Sequence, residues 1–253
     1  MIRSGTDSGT DSGIDSGGSP IGPDATRIRA MFDEIAPGYD RANTVLSAGV
    51  HHLWRKALVR RSGAVVGNRV LDCATGTGDL AIEFKKAVGE NGEVIGSDFS
   101  LGMMTTAPAK AAHEGLKIRF DEADVTRLPY GDNEFDISSI SFGIRNVDDP
   151  KRALKELGRV TKPGGRVMVL EFGQPTYPVF AQAYQLYSRT LLPRIGGWIT
   201  GKPEAYAYLQ TSSSRFPCAE EFCDLMRSTG AYASVDSRML SLGIAYIYRG
   251  TVG

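Results

Sequence analysis

Cysteine is scarce in this chain. Its three copies, Cys73, Cys218 and Cys223, are too few and too scattered for a disulfide framework, and Cys218 and Cys223 lack the second ligand pair of a structural zinc site. No metal ligand set is expected. Net charge is lacking too. Lys+Arg and Asp+Glu number 29 each, so there is no global field for holding nucleic acid, and none is expected as a partner. Long apolar runs are missing: none reaches the roughly 18 residues of a membrane-spanning helix. The first residues have neither the apolar stretch of a secretory signal nor the arginine-rich composition of a transit peptide, so the expected location is cytoplasmic. What remains, 42% hydrophobic and 23% charged residues in a chain of 253, suits one globular domain with its own core.

Residues 1–24 stand apart. Ser4-Gly5-Thr6-Asp7, Ser8-Gly9-Thr10-Asp11 and Ser12-Gly13-Ile14-Asp15 repeat every four residues and have almost nothing to bury. Such a tract cannot offset its chain entropy and is expected to be a disordered tail. The remainder, 25–253, is expected to be the folded domain and begins with Ile28, Met31, Phe32 and Ile35 on one helical face, stopped by Pro37-Gly38. A second helix is expected over His51–Val59. From Arg69 strands and helices alternate. Strands are expected at Arg69–Cys73, Glu93–Ser97, Leu116–Glu122, Phe135–Ile140, Arg166–Phe172 and Ser241–Tyr248. Helices are expected from Asp79, over Leu101–Ala112 with a break at Pro108, over Pro150–Val160 and over Ala219–Ser228. Lys162-Pro163-Gly164-Gly165 reads as a turn. The alternation predicts an α/β fold, a doubly wound parallel sheet with helices on both faces. Residues 173–215 break the rhythm and predict one or two inserted helices, rich in Tyr and Leu.

The best local motif is Asp72-Cys73-Ala74-Thr75-Gly76-Thr77-Gly78-Asp79, between a strand and a helix. Gly76 and Gly78 let the chain turn sharply and let a cofactor approach the backbone. Asp98 ends the next strand, where a carboxylate can accept both hydroxyls of a ribose. Gly76-x-Gly78-x-x-Ala81 alone also fits a dinucleotide fingerprint, which would make the chain an NAD-binding oxidoreductase. Asp72 argues against that, since it would repel a pyrophosphate but tolerates the positive amino-acid end of S-adenosylmethionine. Asp124 can hold an adenine amino group, and a second nucleotide-binding half is missing. Asp124 and the stretch from Leu128-Pro129 to Phe135-Asp136 resemble the later motifs of class I methyltransferases.

Further blocks carry a closer resemblance. Tyr39-Asp40, Asn43, Leu46-Ser47, His51 and Trp54 in order, then Ser141-Phe142-Gly143-Ile144-Arg145-Asn146-Val147, then Arg159-Val160-Thr161-Lys162-Pro163-Gly164-Gly165 with Leu170-Glu171-Phe172, resemble the ubiquinone/menaquinone biosynthesis C-methyltransferase family. Leu191-Leu192-Pro193-Arg194-Ile195-Gly196, Tyr206 and Tyr208-Leu209, and Gly243-Ile244-Ala245 with Arg249-Gly250 continue it. The match runs from about Met31 to Gly250. Ala42, Thr161 and Gly173 depart from the residues usual there (Met, an aliphatic and Ser). The resemblance implies a Rossmann-like class I methyltransferase fold with a mostly parallel seven-stranded sheet, and S-adenosyl-L-methionine as cosubstrate. It implies contacts to that cosubstrate from Thr77, Asp98, Asp124, Val125 and Ser141, beside Asp72, Gly76 and Gly78 of the loop.

The implied reaction is methylation of a polyprenylated quinol ring, demethylmenaquinol first and the ubiquinone-pathway benzoquinol as alternative. A class I methyltransferase of another small lipid is the second reading. Ring methylation needs the neighbouring hydroxyl deprotonated, and a phenol has a pKa of about 10. Arg145 is the candidate for holding the phenolate, or an ion-paired residue with Asp148 or Asp149. Asn146 is the candidate for orienting the hydroxyl or a water. For the base, His51 has a suitable intrinsic pKa of about 6.5, with Asp40 and Tyr184 as alternatives. The competing reading of His51 is a packing histidine beside His52. Residues 177–199 suit a lid or an interfacial helix, or a helix covering the sheet. Peripheral contact with a membrane surface and a homodimer are both compatible with the sequence.

Overall fold

The computed structural model describes residues 25–253, so the tail expected over 1–24 lies outside the described residues. Its centre is a sheet in which alternate residues face opposite ways. In β1 (Arg69–Cys73), Val70 packs with one core cluster and Leu71 with the other, as the period of a strand requires. The same holds for Val94 and Ile95 of β2 (Glu93–Asp98) and for Ile137 and Ile140 of β4 (Phe135–Ser141). Strands buried on both faces need helices on both faces. Trp54 and Leu58 of α3 (Val50–Ser62) and Phe84 of α4 (Asp79–Val88) cover one side. Leu154 and Leu157 of α7 (Pro150–Val160) and Phe222 and Met226 of α11 (Glu220–Arg227) cover the other.

Among the described residues the sheet has seven strands in the order β3-β2-β1-β4-β5-β7-β6. β3 is Arg119–Glu122, β5 Thr161–Phe172, β6 Tyr232–Leu240 and β7 Ala245–Val252. The first five are parallel, and β7 runs antiparallel between β5 and β6. This is the class I methyltransferase fold. Helices α5 (Leu101–Met104) and α6 (Ala107–His113) split the expected Leu101–Ala112 helix just before Pro108. The final strand is displaced from the expected Ser241–Tyr248, because Ser241–Gly243 form a short helical turn with positive φ at Ser241 and Leu242.

A helical cap lies outside the sheet. Ile35 of α1 (Ala25–Ile35), Ala42 of α2 (Tyr39–Leu46), and Ala205 and Tyr206 of α10 (Pro203–Arg215) form a third core cluster, joined by Leu192 and Ile199 of α9 (Leu192–Thr200). Helix α8 (Pro178–Leu186) runs through a π-helical turn, Tyr187–Leu191, directly into α9. None of its residues is buried.

The departures from the family pattern have local reasons. Thr161 is buried, but its hydroxyl donates to Leu157 O at 2.6 Å and lies 2.7 Å from Ser138 Oγ, so a polar atom is satisfied there. Lys162–Gly165, expected as a turn, lie within the span of β5 as an excursion: pairing jumps from Phe135–Thr161 to Ile137–Arg166, and Lys162 Nζ reaches Asp136 at 2.6 Å. At Gly173 a Cβ would collide with the ring of Tyr246 and come within 2.8 Å of Gly243 O. Gly173→Ala is expected to cost about 1–3 kcal/mol by overpacking. That corresponds to a drop of roughly 3–10 °C in the thermal midpoint, measurable by circular dichroism. An unchanged midpoint would show that the Tyr246 ring moves aside freely.

Candidate active site

Parallel strands end together, and their carboxyl ends make the crevice where ligands bind in open α/β sheets. At that edge β1 enters the glycine loop with Ala74, Gly76 and Gly78 all at positive φ. Asp72 is 1% exposed and accepts from Thr75 Oγ1 at 2.8 Å and Ser139 Oγ at 2.7 Å. Burial pushes its carboxyl up to about 6, against the pull of these two hydroxyls. Asp98, at the end of β2, accepts from the Gly76 and Ser100 N–H groups at 2.9 Å each, and burial raises it as well. Beyond β3, Asp124 Oδ1 accepts from the Thr126 N–H and hydroxyl at 2.8 Å. Ser141, ending β4, has a buried hydroxyl with no partner among the described residues.

These groups line a cavity of about 320 Å³. Asp72, Gly76, Thr77, Asp98, Asp124, Val125 and Ser141 are in its wall, with Phe99 and Met103 supplying an apolar shelf. Gly78 is not. Its missing Cβ lets the loop approach Ala107 Cβ and Phe120, where a Cβ would stand at 3.0 and 3.3 Å. Gly78 thus serves the packing of the loop. The cavity suits an adenosyl sulfonium: carboxylates for a ribose and an ammonium, and an unpartnered hydroxyl. A pyrophosphate would bring further negative charge beside Asp72.

A second cavity, of about 810 Å³, adjoins the first. Tyr39, Arg55 and Phe142 belong to both walls. Phe142 carries φ 55° although it is not glycine, a conformation costing about 1–3 kcal/mol and typical of functional sites. Beside it, a Cβ on Gly143 would stand 2.5 Å from Ala74 Cβ, so the end of β4 crosses tightly over the glycine loop. Trp54, Phe172, Phe180 and Leu192 make much of the larger cavity apolar.

His51, Arg145 and Tyr184 share that larger wall. His51 Nδ1 lies 2.6 Å from Ser47 Oγ, whose single proton goes to Asn43 O at 2.7 Å. The ring nitrogen Nδ1 is therefore the protonated one, leaving Nε2 as acceptor in the neutral ring. Burial, then Arg55 and His52, lower the His51 pKa to about 4. Burial raises Tyr184 to about 12, so its phenol is a donor at neutral pH. Arg145 Nη1 donates to Phe142 O at 2.8 Å and pairs with buried Glu171 at 2.5 Å, and the guanidinium lies over the Phe172 ring. Its partner is Glu171, not Asp148 or Asp149.

Two expected residues fall elsewhere. Asn146 lines the smaller cavity and accepts from Tyr208 OH at 3.2 Å. Asp40 is in neither wall. Its carboxylate accepts from Thr77 Oγ1 at 2.6 Å and Lys110 Nζ at 2.8 Å, which removes it from the base candidates. Sequence reasoning missed Tyr39, Arg55 and Phe142 as the shared wall, and Glu171 as the partner of Arg145. A charged residue at the end of an apolar strand was the available signal for Glu171. His51, His52 and Asp79 can bring ligand atoms within 4.8 Å of one another. However, Asp79 already pairs with Arg55 at 2.9 Å and Lys110 at 2.5 Å, and two cations beside it oppose a metal.

Known proteins resemble this chain. The model of the ubiE/COQ5 methyltransferase family matches residues 22–252. The chain is 60% identical over 230 residues to the ubiquinone/menaquinone biosynthesis C-methyltransferase UbiE of Bdellovibrio bacteriovorus, covering 91% of this chain and 97% of that one. It is 44% identical to the demethylmenaquinone methyltransferase of Deinococcus radiodurans, covering 88% and 91%. A SAM-dependent methyltransferase structure from Thermotoga maritima superposes with a TM-score of 0.63 at 21% identity, covering 88% of this chain and 99% of that one. That likeness speaks for the fold alone.

The state of Asp72 gives a pH test. A cationic ligand favours its ionised form, so affinity should fall as pH drops through about 6. S-adenosylhomocysteine, measured by calorimetry, is expected to bind more weakly at pH 5 than at pH 7. Asp72→Asn is expected to bind weakly at both and to lose the slope. A wild-type affinity independent of pH would detach Asp72 from the ligand's ammonium group.

Proposed function

The chain belongs to the ubiE/COQ5 methyltransferase family, an S-adenosylmethionine-dependent C-methyltransferase of quinone biosynthesis, and from that premise we propose that it methylates the ring of demethylmenaquinol. The observation that carries this reading is the large apolar cavity meeting the smaller carboxylate-lined one at Tyr39, Arg55 and Phe142. A polyprenylated ring needs such a volume, and a methyl group must pass where the two meet. The name of the Deinococcus radiodurans relative favours the naphthoquinol. The corresponding benzoquinol is the alternative, because the Bdellovibrio bacteriovorus name covers both pathways.

Bound S-adenosylmethionine supplies a methyl group on a sulfonium, ready for in-line displacement. The protein's part is alignment and proton handling. In our reading Asp98 holds the ribose hydroxyls, Asp72 faces the ammonium end, and Asp124, Val125 and Ser141 border the adenine. In the larger cavity, neutral His51 accepts the ring hydroxyl's hydrogen bond at Nε2 and, with its pKa lowered to about 4, passes the proton on to solvent rather than keeping it, so the phenolate depends on the donors around it. Arg145 offers N–H donors to the developing phenolate. Glu171 offsets part of the guanidinium charge, so Arg145 acts by aimed donors more than by net field. Tyr184 stays protonated and donates a hydrogen bond. The apolar wall keeps water from competing for the methyl group.

Label transfer from methyl-labelled S-adenosylmethionine to chemically reduced demethylmenaquinol is the test, with the benzoquinol precursor alongside. Label on the naphthoquinol is expected. Label on the benzoquinol alone would move the chain to the other pathway. Arg145→Ala is expected to lower kcat by about a hundredfold or more while leaving S-adenosylhomocysteine binding intact. Near-normal turnover would remove Arg145 from the phenolate role.

A further inference from the structure

No helix among the described residues is long and apolar enough to cross a membrane. The substrate proposed above is nevertheless a lipid, and the helix pair roofing its cavity has an unusual outer surface. Val179 is 84% exposed, Leu186 66% and Trp198 83%. Val179 and Leu186 are seven positions apart and fall on one line of an α-helix, at about 100° per residue. Trp198 follows Leu186 by twelve positions, which in an unbroken α-helix would leave it about a third of a turn away. The π turn at Tyr187–Leu191 absorbs one extra residue, which returns Trp198 to within about 20° of Leu186. The three side chains form one stripe roughly 27 Å long. Phe180 and Tyr184, about a third of a turn around from it, line the larger cavity.

Charge shows what covers the stripe. From 173 to 203 the chain has no Asp or Glu, while Arg189, Arg194 and Lys202 are basic, Lys202 being paired with Glu34 at 2.6 Å. Arg194 is exposed and, by the same helical count, flanks the stripe, while Arg189, also exposed, stands at the rim in the wall of the larger cavity. An apolar line with an exposed tryptophan, Arg194 beside it and no acidic residue on its own helices complements the interface of an anionic lipid bilayer. We propose that the outer face of α8, the π turn and α9 docks on anionic membrane, with the substrate cavity lying directly beneath the docked helices. The docking surface rests on the quinol reading only for its purpose. Docking itself is measurable without any quinol.

The test uses the full chain with vesicles of phosphatidylcholine, with and without phosphatidylglycerol. The wild type is expected to sediment with the anionic vesicles. Trp198 is its own reporter, because the only other tryptophan, Trp54, is buried. Brominated lipids should quench wild-type emission and leave Trp198→Phe unquenched. Val179→Ser, Leu186→Ser and Trp198→Ser together, all outside the cavity walls, should weaken partition at least about a hundredfold. Arg194→Gln should weaken it about fivefold, and less in high salt. The triple variant should methylate detergent-dispersed quinol as the wild type does, yet lose turnover of vesicle-borne quinol. A wild type that stays in the supernatant, or a triple variant that sediments equally, overturns the docking surface. So does a wild-type dimer that the triple variant abolishes without any vesicle binding, which would assign the stripe to a second copy of the chain. If neither protein methylates detergent-dispersed quinol, the substrate reading falls, and vesicle partition alone still decides the docking surface.

Discussion

Asp72 is a carboxylate taken almost wholly out of water at the end of a central strand, with two hydroxyls to offset that burial. Thr75 belongs to the glycine loop and Ser139 to the neighbouring strand β4, so one side chain ties β1, the loop and β4 together. Removing either donor would leave a buried oxygen short of a partner, at a cost of about 1–3 kcal/mol. The backbone that follows is strained at Ala74 and again at Phe142 across the crevice. Such conformations persist only where the surroundings over-determine them. The Asp72 clamp supplies that over-determination, and the junction of the two cavities rests on it.

A second tie connects the helical cap to the cofactor loop. Asp40 of α2, Thr77 of the loop, Asp79 of α4 and Arg55 of α3 meet around Lys110 of α6. Burial would lower the Lys110 pKa, but the hydrogen bonds to Asp40 and Asp79 outweigh it and hold the ammonium form. Each pair is partly exposed and weak by itself. Their value is geometric, since α2, the loop and α4 converge on one ammonium group of α6, and Arg55 of α3 joins through Asp79. Asp40, an alternative candidate for the base in the sequence, is spent on this tie.

The central strands were legible because they are short apolar runs between turn residues: Arg69–Cys73 is found as expected, and Glu93–Ser97 and Phe135–Ile140 each extend by one residue. Strand β6 was not legible. It is an edge strand without a single buried residue, so Tyr232–Leu240 carries no alternation to read. Helix α2 buries only Ala42, too little for a periodic signal. The inserted helices were visible as a break in rhythm, but nothing local announces a π turn. Within the site, the strand-end aspartates follow from topology, whereas neither the packing of Gly78 in the loop nor the pairing of Asp40 on α2 with Thr77 and Lys110 can be read from local sequence. His51, Arg145 and Tyr184 come from three distant segments, and only the fold brings them to one wall.

The position of β7 has a consequence for how the molecule comes into being. β7 is the last strand in chain order, yet it sits inside the sheet, paired with Arg166–Phe172 of β5 on one side and with β6 on the other. As the chain emerges from the ribosome, the five parallel strands can assemble in sequence, but β5 keeps an open edge and β6 has no partner until Ala245–Val252 arrives. An open edge of this kind is a template for pairing with other chains. The nascent protein is therefore most exposed to misassembly just before its synthesis reaches β7, and the last step of folding closes the sheet.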